Sequence, residues 1–136
     1  MNMSIFAVNW LGLAGGIIWS VVLGMIWYSP RVFFPMWQKA EGITDEDMKN
    51  ANPAKSMIFG LIANSFSVYV MGIVLNLTGV SSVLGGLAVS SLVSLGLITA
   101  AEINNGAFRM TKAVVFLIDG GYRLLMMAGA GILLSV

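Results

Sequence analysis

The chain is expected to fold as an all-α integral membrane protein: a four-helix bundle with a short interfacial or cytoplasmic helical segment between its first and second transmembrane helices. Three observations point there. The composition is too apolar for a water-soluble domain, the sequence contains four long apolar runs, and its basic residues gather in two of the connections. Of 136 residues, 58% are hydrophobic and 10% charged, and the mean hydropathy is +0.90. Soluble domains carry roughly a quarter charged residues. A single domain over residues 1–136 cannot hide that much apolar side chain from water, so lipid is the expected solvent and the first partner.

A helix that crosses the hydrocarbon core needs about 20 mostly apolar residues. Four stretches qualify: Ile5–Tyr28, Ser56–Leu77, Val83–Ile103 and Ala113–Val136. The N-terminal MNMSIFAVNW has no basic n-region, and the apolar run after it is too long for a signal h-region, so the first helix is expected to be retained. The connections are a long segment over 29–55, a short polar TGVSS at Thr78–Ser82, and NNGAFRMTK at Asn104–Lys112. Arg31, Lys39, Lys49 and Lys55 lie in the first, Arg109 and Lys112 in the third, which is six of the seven basic residues. Lys and Arg favour the cytoplasmic side. Both basic connections are therefore expected in the cytoplasm and both termini outside, across a cell inner membrane. An even number of spans also puts both ends on one side.

The first span closes on Trp27-Tyr28-Ser29-Pro30-Arg31. Amphipathic rings prefer the headgroup layer, Pro30 disfavours helix at Ser29, and Arg31 suits anionic headgroups. Val32, Phe33, Met36 and Trp37 recur at roughly helical spacing, which predicts a short segment in the interface plane that closes near Gly42. Thr44 is a good N-cap, and Asp45, Glu46 and Asp47 suit the first turn of a helix before Pro53.

WYSP at Trp27–Pro30, followed by Phe33 and Trp37, resembles the WYSPxxFxxxW signature of a bacterial membrane family catalogued as domain of unknown function 1761. VNW at Val8–Trp10 and GY at Gly121-Tyr122 are similar to it too. The resemblance covers essentially the whole chain. It implies the four-helix layout with one long first loop and a bacterial membrane location. It supplies no activity.

Polar residues inside the apolar runs are the candidate functional groups. Asp119 and Arg123 lie four apart in the fourth span, on one helix face, with the acid on the N-terminal side. Each costs about 2.5–3.5 kcal/mol at a membrane centre on insertion scales, and such residues face a bundle interior or a wet cavity. Three readings stand: a structural ion pair that neutralises itself, a site for an anion, a proton or a polar headgroup, or a span boundary placed differently, with Asp119 in the headgroups. Tyr122 sits between them. Glu102, at the end of the third span, is expected to pair with Arg109 or Lys112 at the surface; a role in proton coupling beside Asp119 is the alternative. Asn64 is a mid-span amide expected to bond across helices, and Asn9 lies near the outer end, where it can be wet.

Gly12, Gly16, Ser20 and Gly24 are four apart along the first span. This stripe of small residues lets another helix backbone approach closely. Its partner is a neighbour in the chain or a second copy, and a homo-oligomer is expected because four helices enclose little interior.

Several functions are excluded or demoted. Net charge is +1, with no basic patch, so nucleic acid is not a partner. Neither Cys nor His occurs, which removes disulfides, thiolate or imidazole metal ligands and any Ser-His or Cys-His nucleophile pair. The Met residues read as packing filler. No metal, cofactor or enzymatic reaction is expected. Small multidrug exporters are also short four-helix chains, but they centre on an acid in the first helix, and this first helix has none. The reading is a small multi-pass membrane protein, structural or accessory, that packs with itself or with an unknown membrane-protein partner. The alternative is a small oligomeric transporter or channel using Asp119 and Arg123.

Overall fold

The computed structural model describes residues 6–136. Those residues are helical, with no strand among them. Helix α1 runs Trp10–Trp27. Its start is set by Asn9, whose Oδ1 accepts from the Gly12 N–H at 3.1 Å, a side-chain N-cap. Ile5, the expected start of the first span, lies outside the described residues. The connection that follows carries α2, Phe34–Glu41, with Pro35 in its first turn, and α3, Asp45–Asn50. Thr44 and Asp47 cap α3 reciprocally: the Asp47 N–H donates to Thr44 Oγ1 at 3.0 Å and the Thr44 N–H to Asp47 Oδ2 at 2.9 Å.

The remaining spans are α4, Pro53–Leu77, a long helix over Val83–Phe108, and α7, Ala113–Ser135. The long helix has three parts: α5, Val83–Val93, a π-helical stretch Ser94–Thr99, and α6, Ala100–Phe108. It outlasts the expected boundary at Ile103 by five residues, which leaves only Arg109–Lys112 as the turn. The extension has a local cause. Met110 takes a left-handed conformation at φ 57°. The Thr111 N–H then reaches the Gly106 carbonyl at 2.9 Å and the Met110 N–H the Ala107 carbonyl at 3.3 Å. This Schellman ending is usually built on glycine, as it is at Gly42 (φ 72°) after α2. Here the left-handed residue is a methionine.

Among the described residues four helices are long and apolar enough to cross a membrane: α1, α4, the α5–α6 helix and α7. The hub is α7, which packs against α1, α4 and α5. It is antiparallel to α1 and α5: Gly12 faces Leu133 while Gly24 faces Tyr122, and Gly86 faces Gly131 while Gly106 faces Phe116. It is parallel to α4, since Asn64 meets Tyr122 and Gly72 lies near Leu134. Both ends of the described chain share one end of the bundle, where Asn9 Nδ2 donates to the Val136 carbonyl at 3.0 Å and Asn76 Nδ2 to the Ala7 carbonyl at 2.7 Å.

The small-residue stripe on α1 serves neighbours within the chain. A Cβ at Gly12 would lie 2.5 Å from the Leu133 carbonyl oxygen, and one at Gly16 would lie 2.8 Å from Val68 Cγ1. Ser20 is fully buried, and Gly24 leaves room for the Tyr122 ring. Around this seam Leu23, Val68, Met71, Leu75, Met126, Met127 and Ala130 form the core. Between lipid-solvated helices such packing supplies van der Waals contact in place of a hydrophobic driving force. Outward positions are apolar as well: Leu11 is 87% exposed and Leu92 73%, as lipid-facing residues should be. One part of the bundle departs from this close packing. Every residue of α4 from Pro53 to Ala63 is exposed, so the first three turns of that helix stand free of the other helices.

Candidate functional site

A chain of polar side chains crosses the bundle at the level of Tyr122. The Tyr122 hydroxyl donates to the Ser20 carbonyl on α1 at 2.9 Å and accepts from Asn64 Nδ2 on α4 at 3.0 Å. The Asn64 carbonyl oxygen accepts from Arg123 Nη1 at 3.3 Å. Arg123 Nε faces Glu102 Oε1 on α6 at 3.4 Å, and its guanidinium lies 5.8 Å from the Tyr122 ring centroid. Four helices are thus tied through two adjacent residues of α7. Tyr122 is buried, while the side chains of Arg123 and Glu102 are each 35% exposed.

Arg123 pairs with Glu102 instead of Asp119. The i, i+4 spacing puts both residues on one face of α7, but partners on other helices draw the two side chains apart. Asp119 Oδ1 accepts from the Tyr28 hydroxyl at 2.5 Å, beside the end of α1, and Arg123 reaches between α4 and α6. The expected surface pairing of Glu102 with Arg109 or Lys112 is replaced too. Because α6 continues past Ile103, Arg109 sits about 10 Å further along the axis, and the nearest cation to Glu102 is Arg123. Asn64 bonds across helices as its position suggested.

The aromatic anchors after α1 pack inward as well as marking the helix end. Trp27 donates its indole N–H to the Ile118 carbonyl at 2.9 Å and lies over Gly121, whose missing Cβ would sit 2.9 Å from Trp27 Cζ2. Its ring is 4.6 Å from that of Phe33. Tyr28 meets the edge of Trp37 at 6.1 Å and of Tyr122 at 5.5 Å. Ser29 turns the chain through its carbonyl, which accepts from Val32 and Phe34. Pro30 and Arg31 are exposed. The WYSP motif therefore ends α1, fastens that end to α7 and delivers the hydroxyl that satisfies Asp119.

Below this network lies a cavity of about 240 Å³ between α2, α6 and α7. Its polar lining is Glu41, Glu102, Asn105, Arg109, Thr111 and Asp119. Glu102 and Asp119 belong to both the network and the cavity wall. Among the described residues no group of three or more Asp or Glu side chains is placed to hold a metal ion. Tyr28, the Ser20 carbonyl and the cavity residues Glu41, Asn105 and Thr111 were not singled out as partners of the polar set from sequence; Arg109, expected to pair with Glu102, shares the cavity wall with it instead. A depth argument would have found Tyr28: it closes α1 at the end of the bundle where α7 begins, within reach of Asp119.

Three apolar spans around a fourth, the hub helix, stitched by polar side chains, define a multi-pass helical membrane protein. Residues 11–135 match the family model described as Protein of unknown function (DUF1761), and the chain belongs to that family. No curated protein and no solved structure matches it.

Proposed function

We propose that this is a structural or accessory protein of the bacterial inner membrane, one that acts by packing with itself or with a membrane-protein partner and catalyses no reaction. The observation that carries this reading is the internal matching of the charged groups within the spans: Arg123 by Glu102 and Asn64, and Asp119 by Tyr28. Such an arrangement fixes helix rotation and leaves no activated nucleophile. The free cytoplasmic half of α4 supports a homo-oligomer, since a second copy could cover what this chain leaves open. The basic residues of the connections support cytoplasmic loops and outward termini. Cross-linking in native membranes tests the assembly, and a strictly monomeric pattern would refute it.

The second reading, a small oligomeric transporter or channel, is favoured by the cavity whose wall includes Asp119 and Glu102. Reconstitution into liposomes separates the two. Ion and solute flux absent from both wild type and Asp119→Asn supports the accessory role. Flux present in wild type and lost in the variant overturns it.

A further inference from the structure

The cavity between α2, α6 and α7 has a direction. At its mouth, on the α6–α7 turn, are Arg109 and Thr111. Asn105 lies one helical turn inward, and Glu102 and Asp119 lie deeper, with Glu41 closing from α2. Arg109 and Glu41 make no ion pair among the described residues. Each inner carboxylate has one oxygen engaged, Glu102 Oε1 by Arg123 and Asp119 Oδ1 by Tyr28. The other oxygen of each has no partner among the described residues. Arg123 offsets one of these two negative charges, so the inner end favours a cation. The outer end offers a guanidinium and a hydroxyl, which suit a phosphate.

The turn that carries Arg109 reads Phe108-Arg109-Met110. Phe108 is 86% exposed and Met110 90%. Apolar side chains on either side of a cation belong at the boundary between headgroups and acyl chains. The mouth therefore opens where phospholipid headgroups are dense.

We propose that this cavity holds the headgroup of a zwitterionic aminophospholipid, with its phosphate on Arg109 and Thr111 and its primary ammonium on Glu102 and Asp119. The acyl chains lie outside, along Phe108 and Met110. A primary ammonium has three N–H donors for the two open carboxylate oxygens, and a trimethylammonium has none. Three carboxylates against two guanidiniums around the site disfavour an anionic headgroup. The inference goes beyond the accessory role and holds whether or not the protein moves a solute.

The test uses the full-length protein in mild detergent, offered equal amounts of dioleoyl phosphatidylethanolamine, phosphatidylcholine and phosphatidylglycerol, with bound lipid counted by native mass spectrometry. Wild type should retain phosphatidylethanolamine about tenfold over either of the others, the value of one charge-assisted hydrogen bond. Arg109→Gln, at an exposed turn, should lose that retention about tenfold while keeping the wild-type melting temperature. Equal retention of the ethanolamine and choline lipids, preference for the glycerol lipid, or unchanged retention by Arg109→Gln would overturn the proposal. In a parallel arm, soluble phosphoethanolamine is titrated into lipid-free protein. Weak or absent binding supports a lipid source, and binding as tight as that of the lipid overturns the source while upholding the headgroup chemistry.

Discussion

Tyr122→Phe removes one oxygen and leaves the ring in place. That oxygen makes two contacts between helices, a donated bond to the Ser20 carbonyl at 2.9 Å and an accepted bond from Asn64 Nδ2 at 3.0 Å. Hydrogen bonds between helices in membranes average about 0.6 kcal/mol, with a maximum near 1.7. Two of them put the loss at about 1–2 kcal/mol. The Ser20 carbonyl is cushioned, because a helix carbonyl usually has a backbone partner. Asn64 is not, since its amide must turn to find a new acceptor and in turning gives up Arg123 Nη1. Most of the loss should therefore appear as coupling to Asn64. The assay is reversible unfolding by SDS titration in mixed micelles, on wild type, Tyr122→Phe, Asn64→Ala and the double variant. The single change should cost about 1–2 kcal/mol and the double variant clearly less than the sum of the singles. A loss below about 0.3 kcal/mol, or strict additivity, would refute the claim that the hydroxyl joins α1, α4 and α7.

Four further outcomes are expected. Gly16→Ala places a Cβ 2.8 Å from Val68 Cγ1 and should cost about 1–3 kcal/mol through overpacking. Gly60→Ala, with nothing within 4 Å, should be neutral or stabilising in the same titration. Met110→Gly relieves the left-handed backbone at φ 57° and should stabilise by about 1 kcal/mol, read as a raised melting temperature. Asp47 is held below its ordinary carboxyl range first by the Thr44 backbone N–H and then by the Thr44 hydroxyl. A depressed folded value means that its stabilisation of α3 is present above the unfolded value and lost as pH falls through the folded one. The protection factor of the Thr44 amide should therefore fall only below the ordinary carboxyl range, and at neutral pH it should be lower in Asp47→Asn than in wild type.

The four spans were legible because apolar length is a strong signal, and so were the Gly42 and Thr44 boundaries, where residue type dictates backbone geometry. The end of α6 was not, because a methionine in a left-handed conformation carries no mark in the sequence. The identity of the polar residues was legible for the same reason as the spans: ionised groups in apolar runs stand out. Their pairing was less so. Asp119 and Arg123 share a helix face, but which neighbour each one meets depends on how α1, α4 and α6 are rotated against α7. No periodicity within α7 encodes that rotation. Tyr28 belongs to an interfacial motif and also to the network, and a reading that gives each residue one task assigns it only the first.

The π-helical stretch Ser94–Thr99 interrupts the longest helix just before Glu102. Such a bulge amounts to one surplus residue in a regular helix, so everything beyond it is turned by about 100°. The phase slip sets the rotation at which Glu102 meets Arg123, and removing any one residue from Ser94 to Thr99 would turn the carboxylate away from it. The hydroxyls of Ser94 and Thr99, buried at the two ends of the bulge without a partner, mark where the regular ladder gives way to it. The register of a single helix, more than any side chain in it, decides whether Arg123 meets its carboxylate.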